Sequence, residues 1–332
     1  MGSLTITEDP ATVKDFFAAS GSPEFSSWNN HPLFGNFGRA LYKAINQESG
    51  SHIPHYFAVM DGNDPLLLAP ATSSVDNISM FGLPLTLGFR ENVGTKRRKK
   101  AFATAFEQLQ KIAKKNKVLS ASIAGGFSNE RLSPGDIACI DQNAKPESHI
   151  HAIVENIHDE TSIHRELRSS YRSLVNWGRQ ALQLVYVNAE EPDRQRFEEF
   201  LAFHAKVAGG QRHGKDYWNV FWQEITCGNG ELSLGYLPDG ALASGTLAID
   251  AGKTTYYTSG VYDRSMFDKP ISHFPVFNSI LRAGNRGIKE YDLGEIFTIG
   301  SASEKEVQIS LFKKGFTSTF RLRTTWKVDL SQ

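Results

Sequence analysis

Apolar and polar positions follow one order that is written twice along the chain. Residues 56–60 are apolar, Asp61-Gly62 interrupts them, and residues 65–69 resume the apolar run. This pattern predicts strand, turn, strand, because Asp-Gly accepts the positive φ that a tight hairpin needs. Residues 232–237, Asp239-Gly240 and residues 241–249 repeat the device. A third strand is expected after each hairpin, at 78–82 and at 254–260. A helix then follows in each case. Phe102, Phe106, Leu109 and Ile112 form one apolar face in the first, and Phe274, Phe277, Ile280 and Leu281 in the second. Spacings of three and four put such residues on one side of a helix. A short strand closes each set, at 118–123 and at 290–293. Agreement of order and spacing predicts an internal duplication.

Between the repeats, residues 128–146 are rich in turn formers. The second half opens with a strand at 151–157, a helix at 161–181 and a strand at 182–188. Helices are expected at 193–207, 217–225 and 306–315, and an alternating strand at 319–328. The fold class is therefore α/β (α+β), with mixed, mostly antiparallel sheets flanked by helices. A chain of 332 residues exceeds what one hydrophobic core usually supports, so two domains are expected.

Charge and cysteine content narrow the function classes. Lys plus Arg and Asp plus Glu are equal at 36 each. The basic excess of a DNA-wrapping protein is missing, so DNA is not an expected partner. Cys139 and Cys227 stand apart in unlike contexts, which fits a reducing cytoplasm better than a disulfide framework. The start of the chain lacks a signal pattern, and no apolar run is long enough to span a bilayer. Peripheral membrane contact stays open. No metal is expected: His52-x-x-His55 and His149-x-His151 lack acidic or cysteine ligands at metal spacing.

Several segments in the second half are similar, in order, to the FemABX aminoacyltransferases of the GNAT superfamily. Leu311-Phe312-Lys313-Lys314-Gly315-Phe316-Thr317 resembles that family's Phe-Lys-x-x-Phe-Gly ending. Residues 257–263 resemble its strand leading to an acidic turn, 287–294 its Gly…Phe-Asp-Leu-Gly strand, and 168–175 its basic helix. Two positions depart from the pattern. Thr317 stands where glycine is usual, and Trp28-Asn29-Asn30 lacks the lysine that cell-wall members carry near their early tryptophan. The resemblance implies two tandem GNAT-like domains. The first would span 1–150 plus about 318–332, and the second, catalytic one 151–317. It also implies a groove of the second domain, or the cleft beside it, as reaction site, with Lys313 near the acyl linkage of the donor.

The chemistry of the residues can be weighed beside that resemblance. Acyl transfer to an amine builds negative charge on the carbonyl oxygen, and a fixed ammonium stabilises it. Lys313 suits this; the plainer alternative is a solvated pair with Lys314. Asp263, Asp292 and Glu295, at strand ends, are candidate general bases, with His213 and His273 as alternatives. An arginine row on the helix at 161–181 (Arg165, Arg168, Arg172, Arg179) could hold phosphate, or be an ordinary solvated face. The loop Gly209-Gly210-Gln211-Arg212-His213-Gly214-Lys215 offers Arg212 and Lys215 to an anion, and the resemblance gives Arg212 an acceptor phosphate. Tyr257 and Phe312, within matched segments, complete the substrate-binding set. The run 96–100, with Lys111, Lys114, Lys115 and Lys117, could guide an anionic partner or simply solvate helix ends.

The Gly-rich pyrophosphate cradle of acetyl-CoA-dependent GNATs has no match; Arg282-Ala283-Gly284-Asn285-Arg286-Gly287 lies at a helix end. Aminoacyl-tRNA is therefore favoured over acyl-CoA as co-substrate, and no tightly bound cofactor is expected. The expected activity is N-acyl or aminoacyl transfer to an amine of a cell-envelope precursor, a nucleotide sugar or a related small acceptor. The other class to separate from it is a non-catalytic GNAT-like module that binds a tRNA acceptor end or a nucleotide sugar.

Overall fold

A computed structural model describes residues 3–9, 13, 31–46, 50–90, 92–127, 132–297, 300 and 302–331. The Trp28-Asn29-Asn30 segment lies outside the described residues. The chain divides into two compact units: Met1–His149 with Leu322–Gln332, and Ile150–Arg321.

The first unit holds β1 (Thr5–Thr7), α1 (Asn36–Asn46), β2 (Ile53–Pro54), β3 (Phe57–Asp61), β4 (Asp64–Ala69), β5 (Thr72–Ser73), β6 (Ile78–Ser79), β7 (Gly88–Phe89), α2 (Thr95–Asn116), β8 (Ser120–Phe127) and α3 (Pro134–Asp141). The first hairpin forms as expected. β3 pairs antiparallel with β4 down to Asp61↔Asp64, and Gly62 supplies a φ of +60° in the turn. These strands lie between β1 and β7 in a small sheet, while β2, β5, β6 and β8 form another. α2 buries Phe102, Phe106, Leu109 and Ile112, the face its spacing marks. They join Leu67, Ile123 and Trp326 in one core. Asp61 accepts from Arg97 Nε at 2.6 Å, which ties the hairpin turn to the start of α2.

The third strand of this unit departs from expectation. It is not continuous over 78–82. After Ser79 the chain reverses: Met80 and Leu83 exchange both backbone hydrogen bonds around Phe81 (φ +53°) and Gly82 (φ +95°). Positive φ at both central residues makes a tight reversal of the hairpin type. Leu85 then returns to β8. Its N–H donates to Ser122 O at 2.7 Å, and its C=O accepts from Ala124 N at 2.9 Å. Residues 80, 83, 85 and 87 are all buried apolar side chains, and burial of that run outweighs the cost of a left-handed phenylalanine.

From Ile150 to Arg321 the second unit takes up most of β9 (Lys145–Glu155), then α4 (Glu160–Glu166), α5 (Ser169–Ala181), β10 (Gln183–Val187), α6 (Arg194–Ala208), α7 (Lys215–Thr226), β11 (Gly230–Tyr236), β12 (Leu242–Ala251), β13 (Thr254–Tyr262), α8 (His273–Asn285), β14 (Glu290–Ile296) and α9 (Glu304–Lys313). β15 (Phe320–Asp329) starts here and, from Leu322, belongs to the first unit, where it pairs antiparallel with β8. The sheet runs β10-β11-β12-β13-β14-β9, and every neighbour is antiparallel except β13 and β14. Each residue of β11 is buried, as a central strand covered on both faces should be. α8 lies against β11 and β12 and contributes Val276, Phe277 and Ile280 to the core. A Cβ at Gly178 would meet Phe274 Cβ at 2.5 Å, so glycine lets α5 and α8 approach closely.

The helix expected over 161–181 is two helices. Leu167 is buried with extended backbone (ψ 138°), and the Arg168 N–H donates to Gly315 O at 2.9 Å instead of continuing the first helix. Tertiary bonding at this amide outweighs local helix periodicity.

Candidate functional site

Parallel pairing of β13 with β14 covers Thr254↔Glu290, Thr255↔Tyr291 and Tyr256↔Asp292, and no further pair joins these strands. At this point both strands change character. Thr258 is an extra residue of β13 relative to β12, since Leu247 faces Ser259 while Ala248 faces Tyr257, and its Oγ1 donates to Leu247 O at 2.8 Å. β14 gains one residue against β9: Asp292 faces Ile153, whereas Glu295 faces His151. Gly294 sits in that bulge at φ +88°, a left-handed conformation that a side chain would strain. The result is a fork between two strands of one sheet.

Lys313, the last residue of α9, reaches into the fork. Its Nζ donates to Glu295 O at 2.9 Å. A methyl group on Gly294 would stand 3.0 Å from that Nζ and 3.6 Å from the Tyr256 hydroxyl, so the glycine leaves room where ammonium and phenol converge. Burial pushes the Lys313 ammonium below the usual lysine range, while the Asp292 and Glu295 carboxylates pull it back up. Asp292 is completely buried. Its Oδ1 accepts from the Gly294 N–H at 2.6 Å, and its Oδ2 lies 2.9 Å from Nδ1 of buried His151. One carboxylate thus holds the bulge, binds a histidine and faces the lysine electrostatically.

Aromatic side chains continue from the lysine. Phe312 packs against Tyr171, His273, Phe316 and Tyr262. Tyr171 lies edge-on to His273 at 4.5 Å between ring centres, and its hydroxyl donates to Phe312 O at 3.2 Å. Gly315 permits this approach, because a Cβ there would fall 2.0 Å from the Tyr171 ring. The Tyr257 and Tyr262 hydroxyls are 2.9 Å apart, and burial pushes both phenols up, so both stay protonated donors. Burial lowers the His273 pKa and favours neutral imidazole.

The remaining expected site residues lie elsewhere in the unit. Asp263 follows the end of β13, about 20 Å along an extended strand from Tyr256. It caps a 3-10 turn, accepting from Ser265 N at 3.0 Å and Ser265 Oγ at 2.7 Å. Those bonds hold its carboxyl below the ordinary range, which makes it a weaker base. Arg168 N-caps α5, with its guanidinium over the Tyr171 ring at 5.4 Å, and so borders the aromatic cluster. Arg172 is exposed and donates to Arg165 O at 3.0 Å, and Arg179 pairs with Glu160. The arginines do not form one free row. Arg212 is exposed and donates to Ala208 O at 3.3 Å. It lines a groove of about 280 Å³ with Glu198, His204, Gln211 and Trp218, a lining that excludes Lys313. Lys215 opens α7 after Gly214, and the His213 ring stacks on Tyr217 at 3.9 Å.

Sequence reading missed His151, Tyr256 and Gly294. A glycine inside a strand pattern two residues after an aspartate was the available signal for a bulge. His151, by contrast, meets Asp292 only through strand pairing. Among the described residues, no three His, Cys, Asp or Glu side chains group as metal ligands, and no helix is long and apolar enough to cross a membrane.

No protein-family model matches the sequence, and no curated protein matches it. Solved structures do. Over 99% of this chain and 98% of the other, it superposes on FemX with a TM-score of 0.70 at 14% identity. The chain has the tandem GNAT fold of FemABX-like proteins. The same FemABX-like fold aligns with L-PGS from Bacillus licheniformis (TM-score 0.60, 11% identity, 98% of this chain and 93% of that one). It aligns as well with a tandem GNAT protein from the clavulanic acid biosynthesis pathway (TM-score 0.53, 12% identity, 99% of each chain).

Proposed function

We propose that this protein is an N-acyltransferase that moves an aminoacyl or acyl group from an activated donor to an amine, with the reaction at the β13–β14 fork of the second unit. The observation that carries this reading is Lys313 Nζ, held by Glu295 O beside the Gly294 bulge and buried Asp292. The acceptor nitrogen attacks the donor's carbonyl carbon and the carbonyl π electrons move to oxygen. The Lys313 ammonium stabilises that oxyanion in a site partly shielded from water. Collapse expels the ribose oxygen or thiolate of the donor, which takes up a proton, while the attacking nitrogen loses one. Asp292, with His151, is the base candidate within the fork; Asp263, bound to Ser265, is not favoured. Tyr257, Phe312 and Arg168 border the cluster that would orient the acyl group. The proposed enzyme works in the cytoplasm, with a cell-envelope precursor or a related small amine as acceptor and aminoacyl-tRNA preferred as donor. The likeness to FemX and L-PGS supports the transferase class.

The test is incubation of the purified protein with charged tRNA or acyl-CoA and a panel of amines. Release of free tRNA or thiol that depends on the amine, and is lost in Lys313→Ala, is the expected result. Donor binding without release across the panel would instead identify a non-catalytic binding module.

A further inference from the structure

The first unit carries a charged surface that the proposed chemistry does not use. α2 contains eight basic residues and a single acid, Glu107, in a protein with a formal net charge of +0. At its N-terminal end the cations are partly engaged. Arg97 pairs with Asp61, Arg98 donates to Val93 O at 3.1 Å, and Lys99 binds Asp141 at 2.9 Å. Lys96, Lys100, Lys111, Lys114 and Lys115 are exposed, and none meets a carboxylate within ion-pair distance among the described residues. Lys117, just past the helix, is also exposed. These side chains line a helix of 22 residues, about 33 Å long.

The C-terminal end of α2 adds a second, independent feature. Leu119 is 66% exposed and Val75 is 87% exposed. They lie on one edge, because Ser120 Oγ donates to Asp76 O at 3.1 Å and Ile78 pairs with Ala121. Two exposed aliphatic side chains therefore sit on the strand edge that follows Lys114, Lys115 and Lys117 at the end of α2. Asp76 and Asp329 are acids at this edge, and Glu8 accepts from Gln108 of α2 nearby; Asp329 turns its carboxylate to the Ser331 N–H and hydroxyl.

We propose that this edge docks the first unit on an anionic lipid bilayer. Lysines near a negatively charged membrane gain attraction additively, and aliphatic side chains beside them enter the headgroup boundary. Nucleic acid is the poorer fit. Arg97 and Arg98 are already engaged, and the exposed large apolar side chains here are aliphatic, offering no ring for base stacking.

Co-sedimentation of the full chain with phosphatidylcholine–phosphatidylglycerol vesicles, against pure phosphatidylcholine vesicles and a mixed-sequence RNA duplex, tests this. The expected result is binding to the mixed vesicles only. Lys114→Gln/Lys115→Gln/Lys117→Gln should weaken it by about fivefold per lysine at low salt. Val75→Ser/Leu119→Ser should leave a weaker association that salt abolishes completely. All five side chains are exposed, and unchanged thermal melting shows that each variant still folds. No preference for the anionic vesicles, binding that both variants retain in full, or tighter binding to the RNA than to the vesicles would overturn the proposal.

Discussion

The two units carry the same hairpin, third strand, helix and closing strand, yet treat the parting of their parallel strands in opposite ways. In the first unit β6 and β8 share the single pair Ile78↔Ala121, after which the chain folds back at Phe81-Gly82 and Leu85 bonds to β8 on both sides. The gap is closed by backbone and filled with buried Met80, Leu83, Leu85 and Leu87. In the second unit β13 runs on as one strand of nine residues, and the fork beyond Tyr256 receives Lys313, Asp292 and His151. The first unit thus fills its gap with an apolar plug, whereas the fork of the second holds a largely buried charge, the feature on which the proposed chemistry rests.

The largest expected effect concerns the lysine. Lys313→Met should lower turnover by about a hundredfold to a thousandfold, the loss measured when an oxyanion donor is removed. The melting temperature should change little or fall modestly, because relief of the ammonium's desolvation is set against loss of its attraction to buried Asp292 and of its bond to Glu295 O. Steady-state kinetics with a thermal melt would show it, and turnover within twofold of wild type would break the comparison. Next is Leu85→Ala in the plug. It should cost about 2–5 kcal/mol of stability in denaturant titration and leave turnover per folded molecule unchanged. Gly294→Ala should cost about 1–3 kcal/mol in backbone strain and press on the Lys313 Nζ, so turnover should fall more than substrate affinity. Asp263→Ala should lose a turn cap worth about 1 kcal/mol and leave turnover intact, unlike Asp292→Asn.

The smallest effect is the pH dependence. Burial lowers the folded-state pKa of Lys313 below the ordinary lysine value of roughly 10.4. Between those two values the unfolded chain holds the additional proton. Wild-type stability, relative to Lys313→Met, should therefore rise with pH across that window. Turnover should fall over the same range as the ammonium is lost. A base-limited wild type and a Met variant with the same alkaline stability profile would show that the lysine is solvated.

Much of this protein was legible in its residues. Continuous apolar runs broken by Asp-Gly placed both hairpins, whose strands are buried almost throughout, while the helical spacing of apolar residues placed α2 and α8 and alternation placed β15. The resemblance of Phe312-Lys313…Phe316 to a FemABX ending singled out Lys313, which lies largely buried against Glu295 O. Three things depended on neighbours distant in sequence. Leu167–Arg168 broke a helix because its amide found Gly315; residues 80–87 folded back because their apolar side chains had a core to fill; and His151 became the partner of Asp292 because strand pairing brought positions far apart in sequence to 2.9 Å. Local pattern determines which face of an element is apolar. It carries no information about which two elements lie side by side, and the fork is defined by where that pairing stops.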